Sequence, residues 1–76
     1  MVIVVNLTVR LVSIEMSVEV SDSDIKRIQD MIAKGDVETL VSYLRDLGVN
    51  IEDLPKDVAL IRVGDDYILT HAPVFG

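Results

Sequence analysis

The stretch V-R-L-V-S-I-E-M, residues 9–16, decides how the first quarter of the chain folds. Upstream of this stretch the apolar residues occupy odd positions as far as Leu11, and downstream they occupy even positions from Val12 onward. Such alternation is typical of strands that bury one face. The change of phase between Leu11 and Val12 therefore indicates either a chain reversal or a bulge within one strand.

A chain reversal fits the size of the molecule better than one long strand. A straight strand over residues 2–20 would extend about 60 Å, whereas a compact chain of this length has a radius of gyration of about 11 Å. A two-residue loop of Leu11 and Val12 would require positive φ, which a β-branched residue resists. We therefore predict a hairpin with a four-residue loop, Arg10 to Ser13, in preference to a bulged strand.

This predicted register places apolar residues opposite one another on one face of the hairpin. The expected pairs are Val9 with Ile14, Leu7 with Met16, Val5 with Val18, and Ile3 with Val20. The opposite face would be mostly polar, as in an antiparallel pair that is buried on one side only.

Two helices are predicted after the hairpin. The run S-D-S-D at 21–24 supplies capping oxygens and negative charge for the start of the first helix. Gly35 is expected to end that helix and Asp36 to cap the second, which Gly48 closes. Each helix carries one apolar stripe, which suits it to cover a sheet.

A second hairpin is predicted in the last third of the chain. Its strands run from Val58 to Val63 and from Tyr67 to Ala72, joined by a G-D-D turn at 64–66, and Pro73 ends the second strand. The expected order is ββααββ, or βααββ if the N-terminal segment is one bent strand. We predict an α+β fold in a single domain, residues 1–76. It is a two-layer sandwich in which both helices cover one face of a mainly antiparallel four-stranded sheet.

Composition excludes several classes of function. The chain has 76 residues, no cysteine and a net charge of −6, from 13 acidic and 7 basic residues. Because the Lys and Arg residues are scattered, we expect no binding of nucleic acid or anionic membranes. The chain has no signal-peptide pattern and no apolar run of about 20 residues that could span a bilayer. We therefore expect a cytoplasmic protein.

The sequence contains no recognisable catalytic, cofactor or metal motif. The single histidine, His71, has no nucleophile motif to accompany it and is expected at the surface or on an edge strand. The run from Asp22 begins like a calcium-binding EF-hand loop. It has Arg27 where that loop needs glycine and Ala33 where it needs glutamate. We expect no enzyme activity, no cofactor and no metal.

Residues 64–76, G-D-D-Y-I-L-T-H-A-P-V-F-G, resemble the last strand and tail of the MoaD/ThiS-type ubiquitin-like sulfur carriers. The matching residues are Gly64, Asp65, Leu69, Pro73, Val74 and Gly76. The sequence ends in Phe-Gly where that family has Gly-Gly, and matching Pro73 requires one extra residue. The resemblance implies a β-grasp fold. It also implies that the carboxylate of Gly76 would be adenylated and then thiocarboxylated.

We expect first that the chain is a small acidic, non-enzymatic protein–protein interaction domain. We expect it to self-associate as a homodimer or larger oligomer. The candidate interface has two parts. Val2 and Val4 lie on the strand face that should otherwise be wet, and Leu11 and Val12 lie at the hairpin tip. The alternatives are a sulfur carrier acting through Gly76 and an acidic mimic of nucleic acid that binds a basic partner protein.

Overall fold

Two β-hairpins and two helices follow one another along the chain. The computed structural model describes residues 1–71. Its elements are β1 (Val2–Val9), β2 (Val12–Glu19), α1 (Asp22–Lys34), α2 (Val37–Asp46), β3 (Val58–Val63) and β4 (Asp66–His71). The predicted ββααββ order and the α+β class are confirmed. The predictions for Ala72, Pro73, Val74, Phe75 and Gly76 fall outside the described residues.

The four strands form one mixed sheet in the order β2-β1-β4-β3. Both hairpins are antiparallel, and the central neighbours β1 and β4 are parallel. A parallel pair needs a long crossover connection, which the two helices and the segment after them supply here. Side chains of β4 also hold both ends of β1. The Val2 N–H donates to Asp66 Oδ1 and the Thr8 N–H to His71 Nε2, each at 3.2 Å.

The N-terminal hairpin is confirmed, but the predicted loop is wrong. The chain reverses over two residues, Arg10 and Leu11, and Val9 pairs with Val12 instead of Ile14. Every predicted pair is therefore displaced by two residues. The observed apolar pairs are Leu7 with Ile14, Val5 with Met16, and Ile3 with Val18. A displacement of two residues keeps the same side chains on the same face, so the predicted division into a dry and a wet face holds.

The core lies between one face of the sheet and the two helices. The central strands contribute Ile3, Val5, Leu7 and Leu69, and the helices contribute Ile25, Ile28, Leu40 and Leu44. The segment between α2 and β3 also turns Val49, Ile51 and Leu54 inward. Both helices therefore cover the same face, as predicted, and within residues 1–71 no helix or strand packs on the opposite face of the sheet. We call that uncovered side the open face.

The helix ends follow the predicted caps. Ser21 and Asp24 form a reciprocal capping box at the start of α1, and Gly35 ends that helix in the left-handed conformation at φ 69°. The Asp36 side chain accepts a hydrogen bond from the Thr39 N–H at 3.3 Å at the start of α2. In the second hairpin, the turn occupies Gly64 and Asp65, so β4 begins at Asp66, one residue earlier than predicted.

Candidate functional site

A row of aliphatic side chains crosses the open face of the sheet. Val4 on β1 pairs with Ile68 on β4, and Ile68 pairs with Ile61 on β3. Neighbouring strands lie about 4.8 Å apart, so the three side chains are adjacent. Val4 is 36% exposed and Ile61 is 38% exposed, because α1 and α2 both lie on the other side of the sheet. The row is thus an apolar surface that is accessible to a partner.

More apolar residues flank this row. Val63, which is 52% exposed, and Ala59 share the outward face of β3 with Ile61, and Val2 shares that of β1 with Val4. We call the whole set the open-face patch: Val2, Val4, Ala59, Ile61, Val63 and Ile68. Along one side it is bordered by β2, whose outward-facing residues include Glu15 and Glu19. The patch is therefore apolar with an acidic border.

The hairpin tip is the second exposed apolar feature. Arg10 and Leu11 both have positive φ, 52° and 67°, as the two central residues of a type I′ turn require. Glycine and asparagine adopt this conformation at low cost, whereas other residues are strained in it. Leu11 is nonetheless 99% exposed, and Val12 beside it is 62% exposed.

A shallow open depression of about 220 Å³ lies beside the tip. It is lined by Val9, Arg10, Val12, Ile14, Asn50, Ile51, Glu52 and Asp53. An exposed ion pair of 3.7 Å between the Arg10 guanidinium and the Asp53 carboxylate links the tip to the segment after α2. Such a pair contributes little to stability, and the depression is smaller than the usual small-molecule site of about 300 Å³ or more.

The four residues predicted as an interface do not form one surface. Val2 and Val4 lie on the open face, while Val12 faces the side of the sheet that carries the helices. Val4 and Leu11 are also about 20 Å apart along the hairpin. The open-face patch and the tip are consequently two separate candidate sites.

Sequence reasoning missed the contribution of β3 and β4 to the open-face patch. The run V-A-L-I-R-V of β3 has apolar residues at both odd and even positions, and so do the starts of β1 and β4. Apolar residues on both faces of a strand are typical of strands that are covered on both sides. That signal could have marked β3 and β4 as strands with a second apolar face, but it could not have placed Ile61 and Ile68 beside Val4.

His71 lies on the central strand β4, and not on an edge strand. Its Nε2 accepts the Thr8 N–H at 3.2 Å, and its Nδ1 is 3.2 Å from Asp57 Oδ1. A backbone N–H can only donate, so the ring proton is on Nδ1 and is donated to Asp57. This is the aspartate–histidine half of a catalytic triad, but a backbone amide occupies the position of the nucleophile. The arrangement holds β1, β4 and the segment before β3 together.

Asp24 and Tyr43 join the two helices through a short hydrogen bond from the tyrosine hydroxyl to the carboxylate. The backbone N–H of Ser21, followed by the Tyr43 hydroxyl, holds the pKa of Asp24 below its ordinary value of 3.8. The same hydrogen bond to Asp24 raises the pKa of Tyr43 above its ordinary value of 10.0. Both shifts favour the ionised aspartate next to the neutral phenol.

We expect the lowered pKa of Asp24 to make the free energy of unfolding depend on pH in the acidic range. A group whose pKa is lower in the folded state stabilises that state above its unfolded pKa, and this contribution disappears as the pH falls through the folded pKa. At pH 7 the free energy of unfolding should therefore be larger for the wild-type protein than for an Asp24→Asn variant. At pH 2.5 the difference between the two proteins should be smaller. Urea denaturation at both pH values measures this. A difference that does not depend on pH would contradict the assignment. Asp46→Asn, at an exposed position at the end of α2, serves as the control, since the structure of residues 1–71 shows no ion pair or side-chain hydrogen bond of Asp46.

The acidic pairs of the sequence, Asp22/Asp24, Glu52/Asp53 and Asp65/Asp66, lie in three different parts of the fold. They are at the start of α1, in the segment after α2 and in the turn between β3 and β4. Within residues 1–71, no group of three or more histidine, aspartate or glutamate side chains is arranged to hold a metal ion. Over the same residues, each helix is too short or too polar to cross a bilayer.

Comparison with protein-family models, curated proteins and solved structures finds no match to this chain.

Proposed function

We propose that this chain is a small, acidic, non-enzymatic protein–protein interaction domain that associates with a second copy of itself through the open-face patch. The observation that carries the proposal is the aliphatic row Val4, Ile68 and Ile61 on the sheet face opposite α1 and α2, which no element of the described part of the chain covers. Exposed apolar surface of this kind is characteristic of interaction sites. The proposal includes a cytoplasmic location.

The size of the domain supports self-association. A chain of about 60–80 residues buries a smaller fraction of its surface on folding than a larger domain does, and it gains stability when another layer covers an exposed apolar face. A second sheet packed face to face at about 10 Å would convert the present two layers into a helix–sheet–sheet–helix arrangement. The same patch would then lie on both sides of a two-fold axis, as in most homodimers.

The geometry around His71 supports the non-enzymatic part of the proposal. The histidine nitrogens are both engaged, one with the Thr8 N–H and one with Asp57. These contacts give the His71 ring a structural role, as a link between β1, β4 and the segment before β3.

We expect an Ile61→Lys substitution to prevent self-association, because it places a charge in the middle of the apolar patch. Light scattering at concentrations up to 1 mM should give twice the 8.4 kDa chain mass for the wild-type protein and the single mass for the variant. Gln29→Lys on the exposed side of α1 makes the same charge change away from the patch and should remain dimeric. A wild-type protein that stays at 8.4 kDa at every concentration would refute the proposal.

A second candidate function is favoured by the strand order. The sulfur carriers that residues 64–76 resemble have the β-grasp fold, in which the first and last strands lie side by side and parallel in the sheet. Here β1 and β4 have that relation. The residue that would carry the sulfur, Gly76, is outside the described part of the chain. Mass spectrometry after incubation with ATP and an activating enzyme distinguishes this candidate, since only a carrier would gain a C-terminal adenylate, with release of pyrophosphate. When a sulfur donor is also supplied, a carrier would lose AMP and gain a thiocarboxylate.

A further inference from the structure

Strand β2 forms one end of the sheet, and within the described residues no strand pairs with its outer side. It is eight residues long and pairs with β1 without interruption from Val12 to Glu19. Proteins commonly protect such an edge with a bulge, a proline or charged side chains. β2 has no bulge and no proline, and its only charged side chains are Glu15 and Glu19. The edge is therefore a straight and accessible template for another strand.

The polar groups at this edge can be assigned from the hairpin geometry. Val9 and Val12 flank a two-residue loop and so form a hydrogen-bonded pair, and such pairs recur at every second residue. The bond of 2.8 Å from the Val20 N–H to the Met1 carbonyl has the same parity. Even-numbered residues of β2 thus bond to β1. Odd-numbered residues direct their N–H and C=O groups to the free edge: Ser13, Glu15, Ser17 and Glu19.

The helix layer does not fully cover β2. Its apolar residues Ile14, Met16 and Val18 face the helices but are only half-buried. Their partners on the neighbouring strand β1 are Leu7, Val5 and Ile3, which are at most 1% exposed. The helices therefore bury the core-facing side chains of β1 completely but leave those of the next strand, β2, partly exposed. A strand added beyond β2 would bring its own apolar side chains against this half-covered row.

The negative charges on β2 determine which kind of strand can pair with its free edge. On the outward face of β2, Glu15 and Glu19 would lie beside the side chains of any added strand. A second copy pairing antiparallel through β2, with apolar residues kept on the same side, places a glutamate directly or diagonally opposite another glutamate in every register. Like charges opposite one another are destabilising, whereas opposite charges stabilise the pair. A strand with lysine or arginine on its outward face is complementary.

We propose that the free edge of β2 binds an extended segment of another protein, in which aliphatic residues alternate with lysine or arginine, by adding it to the sheet as a fifth strand. The backbone of the segment bonds to the odd-numbered residues of β2. Its aliphatic side chains cover Ile14, Met16 and Val18, and its basic side chains pair with Glu15 and Glu19. This surface is distinct from the open-face patch, so a dimer formed through the patch would keep two such edges.

The probe is an acetylated and amidated heptapeptide that alternates valine and lysine, with a counterpart in which each lysine is replaced by glutamate. In a titration followed by two-dimensional amide NMR, the lysine peptide should shift the signals of Ser13, Glu15, Ser17 and Glu19 and slow their hydrogen exchange. The glutamate peptide should bind at least about tenfold more weakly, since each cross-strand charge pair changes sign.

Two variants separate strand addition from general attraction. Ser17→Pro removes one N–H at the free edge, where an edge strand tolerates proline, and should weaken binding of the lysine peptide at least about tenfold. Ser17→Ala keeps that N–H and should bind like the wild-type protein. Reversing the charges with Glu15→Lys and Glu19→Lys should make the glutamate peptide the stronger ligand. If the proline variant does not fold, the comparison of the two peptides on this charge-reversed variant still tests the proposal.

Three results would overturn the proposal. Equal binding of both peptides, or no binding of either at millimolar concentration, would show that the acidic edge selects nothing. Shifts confined to Val4, Ile61 and Ile68 would place the peptide on the open-face patch instead. Slow exchange at the four edge amides in concentrated protein without peptide would show that a second copy occupies the edge.

Discussion

Replacing Arg10 and Leu11 together by Asn and Gly is expected to stabilise the fold by about 2 kcal/mol. Both native residues have positive φ, and Asn-Gly is the pair that the type I′ turn favours. The exposed Arg10–Asp53 pair that is lost contributes little. Urea denaturation measures the gain. For a domain of this size, it should appear as a rise of about 8–16 °C in the thermal midpoint.

Single substitutions at Leu11 separate backbone strain from side-chain contacts. Leu11→Ala keeps the strained backbone and removes a side chain that is 99% exposed, so stability should change by less than about 0.5 kcal/mol. Leu11→Gly relieves the strain and should stabilise by about 1 kcal/mol. A loss of stability in both variants would mean that the Leu11 side chain is covered in solution, by a partner or a second copy.

Leu69→Ala is expected to cost about 3 kcal/mol, a large part of the stability of so small a domain. Leu69 is fully buried at the centre of β4, between the sheet and the helices. Removing its branched end leaves a cavity that the neighbouring strands β1 and β3 cannot fill without breaking their register. The change in the urea midpoint, at constant slope, measures the loss.

The adjacent residue supplies the matched control. Ile68 is on the same strand but directs its side chain to the open face, so Ile68→Ala should cost about 1 kcal/mol in the monomer. The two variants must be compared at a concentration where no dimer forms, because self-association would add to the cost at Ile68. Equal losses in the monomer would contradict the division of the sheet into a covered and an open face.

Local patterns were sufficient to predict the elements. The alternation around Leu11 and Val12 gave the hairpin and its two faces, and S-D-S-D and Gly35 gave the limits of α1. The loop was predicted wrongly because a two-residue loop was considered only at Leu11 and Val12, where a β-branched residue resists positive φ. The structure places the two-residue turn one residue earlier, at Arg10 and Leu11. In the observed register Val12 and Ser13 pair with Val9 and Thr8 instead of forming a loop. Those added pairs offset the strain of two residues in the left-handed region.

The arrangement of the sheet could not be derived from local patterns. The pairing of β1 with β4 joins residues more than 60 positions apart, and no turn motif or spacing records it. The open-face patch depends on that pairing, since Val4 and Ile61 become neighbours only through Ile68. For this reason the sequence identified Val2 and Val4 as a candidate surface but could not identify the rest of it.

The parallel contact between β1 and β4 also determines the order in which the molecule can fold. Val2 and Asp66, which this contact brings together, are 64 residues apart. The N-terminal hairpin and both helices can form from neighbouring residues, whereas the centre of the sheet must wait for β4 to close this long loop. During synthesis on the ribosome, β1 can therefore pair with β2 long before β4 is available to pair with its other side. The interval between these events is when the nascent chain is most exposed to wrong pairing and in greatest need of a chaperone.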